Sequence, residues 1–230
     1  MKILAIGDIH GRKIWKNIQF DHYDQVIFLG DYLDSHRLSN DDILGNLEEL
    51  IKLQESQQNI SFLIGNHDLQ YTDPEFVGLV SGYRESCFME AYELLHLLKW
   101  KFAIELDNVL YTHAGLLKAF YESIPPTSNQ ISETINSAGF SNPYYFLTTL
   151  HPLRGGASRA SSSIWCDFRE ILAEENPIPI NQVFGHSARE GGQMDRKAEY
   201  WRICIDVLTK YKNAYEIVDG EEPKVVSLQE

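Results

Sequence analysis

Three times along this chain a short apolar, strand-like run stops at a glycine followed by polar residues able to hold a cation. Residues 2–6 end at Gly7-Asp8-Ile9-His10-Gly11, residues 25–29 at Gly30-Asp31, and residues 60–64 at Gly65-Asn66-His67-Asp68. Between the second and third runs, residues 42–54 carry Ile43, Leu47, Leu50 and Ile51 at helical spacing, with Ser39 or Asn40 placed as the N-cap. A strand, helix, strand rhythm needs a crossover and so predicts a parallel sheet. Ligands of such a sheet gather beyond the carboxyl ends of its strands, where all three glycine loops lie.

Farther along, residues 85–98 read as a second helix through Phe88, Tyr92, Leu95 and Leu98. Residues 102–106 and 109–112 read as a hairpin around Asp107-Asn108, leading into Thr112-His113-Ala114-Gly115. Residues 123–163 are rich in Pro, Ser, Thr, Asn and Gly and read as an insertion capping one side of the site. Within them, Thr127 and Gln130 have capping-box spacing for a short helix through Asn136, and Gly155-Gly156-Ala157-Ser158 reads as a flexible turn. Strand patterns at 181–184, 201–205 and 214–218 predict a second sheet in the same domain, so the 230 residues are expected to form one unit, 1–230.

The charge balance narrows the function. Lys and Arg number 20 against 33 Asp and Glu, a formal charge of −13, which has the wrong sign for bulk nucleic-acid binding. It leaves room for an anionic substrate held where a divalent cation outweighs nearby carboxylates. No run approaches the ~18 apolar residues of a membrane span, and no secretory signal follows Met1. Cys87, Cys166 and Cys204 are odd in number and far apart, which suits reduced thiols in the core. The expectation is a cytoplasmic protein with no membrane partner.

Asp8 and His10, two apart in a loop leaving a strand, can turn toward one ion, and a carboxylate with an imidazole suits zinc, iron or manganese. Asp31 follows the second glycine and Asn66 the third, while His113 and His186 end later strands at Tyr111-Thr112-His113 and Phe184-Gly185-His186. Turn preference explains each residue singly, but not six oxygen and nitrogen ligands in series at strand ends.

In this ordered series the chain resembles the calcineurin-like metallophosphoesterases, whose signature runs Gly-Asp-x-His, Gly-Asp-x-x-Asp, Gly-Asn-His-Asp/Glu, a later His, and Gly-His. Every block is present. The resemblance implies an α/β metallophosphoesterase fold: two mixed β-sheets packed as a β-sandwich flanked by α-helices, with a dimetal site at the strand ends. It also implies two divalent ions, preferably manganese, with iron or zinc as alternatives. Asp8 and His10 then hold the first ion and Asn66, His113 and His186 the second, with Asp31 bridging. His67 becomes the general acid and Asp34 its orienter, while Asp68 either orients a ligand or caps the next segment. Two ions ~3.5 to 4 Å apart can lower the pKa of a shared water, yielding a bridging hydroxide that attacks phosphorus, and can clamp both oxygens of an in-line displacement.

Two details bear on the branch of the family. Gly185-His186-Ser187-Ala188 lacks the second histidine of many diesterases, which resembles the protein-phosphatase and diadenosine-tetraphosphate-hydrolase branch and implies a phosphomonoesterase. A phosphodiesterase, nuclease or dinucleoside polyphosphate hydrolase is the alternative, and a non-catalytic scaffold of the same fold a remote one. The phosphatases of that branch keep a phosphate-binding arginine directly after the residue matching Asp34, whereas this chain has Ser35. Arg37, Arg154 and Arg169 are the candidate replacements, with Arg37 preferred because Asp31 and Asp34 already anchor its loop. The expected partner is a phosphorylated small molecule, phosphoprotein or nucleotide.

Overall fold

The computed structural model describes residues 1–188, 192–197, 199–206, 208 and 212–228. The opening rhythm folds as a parallel β1(Lys2–Ile6), β2(Gln25–Phe28) and β3(Ile60–Leu63), in register Ile3↔Gln25 and Val26↔Ile60. The crossover between β2 and β3 is α1(Asn40–Ser56). Ser39 caps this helix: its hydroxyl accepts from Asp42 N, and the Asp42 carboxylate reaches back to Ser39 N, which fixes where the helix starts.

Side-chain alternation explains why these strands are apolar throughout. On β1, Ile3 and Ala5 face the second sheet, while Leu4 and Ile6 face the layer made by α1 and α3(Phe88–Leu97), so both faces are buried. The second sheet contains β5(Ala103–Leu106), β6(Val109–Thr112), β7(Asn181–Phe184), β8(Gln193–Lys197) and β9(Tyr200–Cys204) in the order β5-β6-β7-β9-β8. Its inner face brings Val109, Tyr111, Val183 and Ile203 against Ile3, Ala5, Ile27 and Leu63. Its outer face is covered by α4(Lys118–Tyr121), α5(Ile131–Ser141), α6(Pro143–Thr148) and α7(Phe168–Ala173). The result is the expected α/β fold, two mixed sheets between helical layers.

Several details differ from the sequence reading. The 214–218 pattern belongs to β10(Asn213–Val218), which lies in the first sheet, antiparallel to β1 with Lys2↔Val218. It pairs with β11(Lys224–Ser227), and together they cover an edge of β1 that would otherwise be open. The other edge carries the two-residue β4(Trp100–Lys101). Residues 85–87 form a separate 3-10 turn before α3. Thr127 and Gln130 form no capping box: α5 starts at Ile131 with no side-chain cap and continues past Asn136.

The 123–163 stretch is also more ordered than its composition suggests. Ile135, Phe146 and Leu147 are buried there, and Ser161, Ser162 and Ser163 are fully buried. The Ser161 and Ser162 hydroxyls are satisfied by Glu170 and the Phe146 carbonyl, while the Ser163 backbone carbonyl accepts from Ala114 N at 2.8 Å beside His113.

Candidate active site

The strand ends converge on one pocket of ligating atoms. Asp8 and His10 follow β1, Asp31 follows β2, Asn66 opens the short α2(Asn66–Leu69) after β3, His113 follows β6, and His186 follows β7. Four of the eight described non-glycine residues with positive φ belong here: His10, Asp31, Asp34 and His186. Left-handed backbone costs energy outside glycine and concentrates where function over-determines geometry. Two motif glycines are required by close approach. A Cβ on Gly65 would stand 2.1 Å from Asp31 Oδ1, and one on Gly185 2.1 Å from Asp8 Oδ1.

Two clusters of ligand atoms form, Asp8–His10–Asp31 and Asp31–His113–His186, each with its atoms within 4.8 Å of one another. Asp31 belongs to both. Its Oδ2 lies 3.7 Å from His10 Nε2 and its Oδ1 3.5 Å from His113 Nε2, so one carboxylate faces two different imidazoles. The tautomers are set by backbone carbonyls. His10 Nδ1 donates to Leu33 O and His113 Nδ1 to Leu29 O, both at 2.8 Å, which leaves each Nε2 lone pair directed into the site. Around His113 Nε2 stand Asn66 Oδ1 at 3.0 Å and His186 Nδ1 at 3.2 Å. A lone pair surrounded by acceptors fits a cation, and the mixed oxygen and nitrogen donor set suits a divalent metal.

The electrostatics agree. Burial lowers the pKa of His10 and of His113, and drives His186 well down with His113 and Arg154 adding to the effect, so all three favour the neutral, ligating form. Burial followed by Asp206 and Asp31 drives Asp8 well up. For Asp31, burial is outweighed by His113, His67 and His10, and its carboxyl is held below the usual range. Asp8, Asp31 and Asp206 therefore form a buried, mutually repelling group that a bound cation would relieve.

Beside the clusters, His67 Nδ1 meets Asp34 Oδ2 at 3.1 Å. Asp34 also accepts from Gln70 Nε2 at 2.7 Å and from Tyr71 Oη at 2.6 Å. Burial alone would lower the His67 pKa, but Asp31 and Asp34 reverse this and raise it to about 9. His67 thus differs from the three candidate ligand histidines in favouring the charged, proton-carrying form. Asp68 touches no ligand side chain. Its two oxygens accept from the backbone of Asp31 (2.7 Å), Tyr32 (2.7 Å), Leu33 (3.1 Å) and Gly65 (3.1 Å), holding the Asp31 loop against the start of α2.

The three arginines fall in different places. Arg154 Nη2 meets Ser187 Oγ at 3.1 Å, next to His186, and Asp167 Oδ2 at 3.3 Å, while its buried Nε has no partner. Arg169 is 54% exposed and committed to Asp167 through Nε (2.9 Å) and Nη2 (3.0 Å). Arg37 is exposed, and its loop is held by Arg84, which donates to the Ser35 and Leu38 carbonyls and to Asn40. Ser35 Oγ accepts from Arg37 N at 3.3 Å, so the residue at the phosphatases' arginine position helps shape the loop.

Sequence reasoning missed Asp206, Gln70, Tyr71 and Arg84. Asp206 carried the same signal as the others, a carboxylate directly after an apolar strand, at Cys204-Ile205-Asp206. Gln70 and Tyr71 had none, because their contact with Asp34 spans 36 and 37 residues and depends on the single turn of α2.

With this geometry in place, the chain can be set beside known proteins. The sequence pattern of the calcineurin-like phosphoesterase family matches residues 1–216. No curated protein matches by sequence. A cold-active protein-tyrosine phosphatase from a psychrophilic Shewanella superposes with a TM-score of 0.58 at 14% identity, over 99% of this chain and 80% of that one. The Escherichia coli phosphoesterase YfcE matches with a TM-score of 0.41 at 11% identity, over 100% of both chains. At these identities the likeness concerns the fold alone. The family pattern spans nearly the whole chain and includes every strand-end motif described above, and the chain belongs to the calcineurin-like phosphoesterase family.

Proposed function

We propose that this protein is a two-metal phosphomonoesterase that hydrolyses a phosphorylated substrate to the free alcohol and phosphate. The observation that carries this reading is Asp31, whose two oxygens face imidazoles of two separate ligand clusters, with His67 and Asp34 alongside. Asp8 and His10 would hold one ion and Asn66, His113 and His186 the other, with Asp31 common to both. Manganese is the preferred occupant, with iron or zinc compatible with the same donors. When bound, the ions supply an activated water and charge to stabilise the in-line displacement.

The remaining work falls to side chains. His67 carries the proton that the departing alkoxide oxygen takes up, and Asp34 holds the ring in place while Gln70 and Tyr71 fix Asp34. Arg154 binds a non-bridging phosphate oxygen. Of the three arginines it alone bonds a residue adjacent to a ligand, and it retains an unpartnered buried N–H. Arg169 is occupied by Asp167.

The test is a substrate panel on manganese-reconstituted protein: p-nitrophenyl phosphate, its bis ester, a phosphopeptide, diadenosine tetraphosphate and a short nucleic acid with terminal phosphate. Monoester turnover that disappears on chelation and returns with metal supports the reading. Faster hydrolysis of the bis ester or of diadenosine tetraphosphate, or equal monoester rates after chelation to zero metal, overturns it.

A further inference from the structure

A cavity of about 520 Å³ adjoins the site on its Asp8 and His10 flank. Three of the loops that build the site also wall this cavity. Arg12 and Lys13 follow His10, Leu38 follows the Asp34 loop, and Leu208 follows Asp206. Ile14, Leu38 and Leu208 supply an apolar surface, and Arg12, Lys13 and Lys212 bring three positive charges to it. In a chain of net charge −13, cations outnumber acids in this lining. The one acid in the lining, Asp42, is engaged with Ser39 in the cap of α1.

Arg12 is the informative member. Its guanidinium has five donors, of which one is used among the described residues, from Nη1 to the Ile9 carbonyl at 2.9 Å. Among the described residues no ion pair within 4.0 Å joins it to any carboxylate. The Arg37 side chain likewise has no hydrogen bond or ion pair among the described residues. Arg37 is exposed on the neighbouring loop, where a substrate anion reaching past Arg12 could meet it. Lys13 forms a long surface ion pair with Glu49 at 3.7 Å, a carboxylate it shares with Lys16.

We propose that this cavity is a subsite for a second phosphoryl group of the substrate, carried on a small apolar body that lies against Ile14, Leu38 and Leu208. Arg12 is its main anchor, and Arg37 assists from the neighbouring loop. The inference rests on the phosphomonoesterase reading for the scissile phosphate, and it makes the preferred substrate a small bisphosphorylated molecule. Arg37 thereby acts on the substrate's second anion, and Arg154 on the phosphate being cleaved.

The experiment compares 5′-AMP with adenosine 3′,5′-bisphosphate, which share a body and differ by one phosphate. On the manganese-loaded protein, kcat/KM for the bisphosphate should exceed that for AMP by ~10-fold or more, the scale of one charge-assisted contact. Arg12→Gln should reduce that preference to ~3-fold or less, and Arg12→Lys should keep a larger share of it. In parallel, calorimetry on metal-free protein should show the bisphosphate bound and its affinity cut ~10-fold by Arg12→Gln. Equal handling of the two nucleotides by wild type, or a preference unchanged by Arg12→Gln, overturns the subsite. If the loaded protein hydrolyses no monoester at all, the functional reading fails, and the calorimetric arm still decides the subsite by itself.

Discussion

The two flanks of the site are finished to different degrees. On the His67 flank the carboxylates are fully engaged: Asp34 takes three donors, one of them the His67 ring, and Asp68 takes four backbone N–H groups. On the opposite flank Asp206 Oδ1, His186 Nε2, Asn66 Nδ2 and Arg154 Nε are buried without partners. Buried polar groups are nearly always satisfied, so a cluster of orphans marks a place completed by something that binds. The protein itself completes the flank to which the proposed reading gives the proton. In the proposed reading it leaves open the flank that would receive ions and phosphate.

If this contrast is right, substitutions on the two flanks fail in different ways. The largest effect is expected from Asp31→Asn, which weakens both ligand clusters at once. Metal analysis should show reduced occupancy, and turnover should fall by ~10⁴-fold or more, since removing a bridging carboxylate disables both ions. Full occupancy with near-normal rate would place the bridge elsewhere. His67→Asn should lower kcat by ~10² to 10⁴ while both ions stay bound, with a smaller loss for p-nitrophenyl phosphate because that leaving group departs without a proton. Metal loss in this variant would move His67 to the other flank.

Smaller effects sharpen the boundary. Arg154→Ala should cost ~10-fold or more in kcat/KM, corresponding to ~1.5 to 3 kcal/mol for a hydrogen bond to a charged group. A wild-type Arg154→Ala with a crippled Arg37→Ala would transfer the scissile phosphate to the Arg37 loop. Tyr71→Phe removes one of three donors to Asp34 and should lower kcat several-fold for a poor leaving group, leaving metal content intact.

The pH dependence of stability in metal-free protein is a subtler probe of the open flank. Asp206 is raised to about 7, by burial first and Asp31 second, against ~3.9 for an unperturbed aspartate. Between those values the folded state binds more protons than the unfolded one. The stability is therefore full below about pH 4 and is lost as pH rises through about 7. Thermal melts of chelated protein should show this decline, and Asp206→Asn should flatten it. A melting temperature that climbs over the same window would refute the uncompensated carboxylate group.

How much of this was legible in the sequence follows from the range of each contact. The strand-end motifs at Asp8, Asp31 and Asn66 were readable because a parallel sheet delivers the ends of its strands to one place, and adjacent glycines mark the turns. The cap of α1 was readable because Ser39 and Asp42 are three residues apart. What escaped depended on distance or on partner choice. The 214–218 strand has the same alternation whichever sheet it joins, and only the open edge of β1 assigns it to the first. The serines at 161–163 looked like loop residues, but Glu170 and backbone carbonyls satisfy two of them in the core. Asp206 carries a readable signal too, a carboxylate one residue beyond the 201–205 strand pattern.

The central claim is that one carboxylate, Asp31, organises two ions. The most direct measurement is the number of manganese ions per chain in reconstituted wild type and in Asp31→Asn after removal of free metal, by elemental analysis against protein concentration. Wild type should hold two per chain and the variant fewer than one. One ion or none in wild type, or two in both proteins, would contradict that claim.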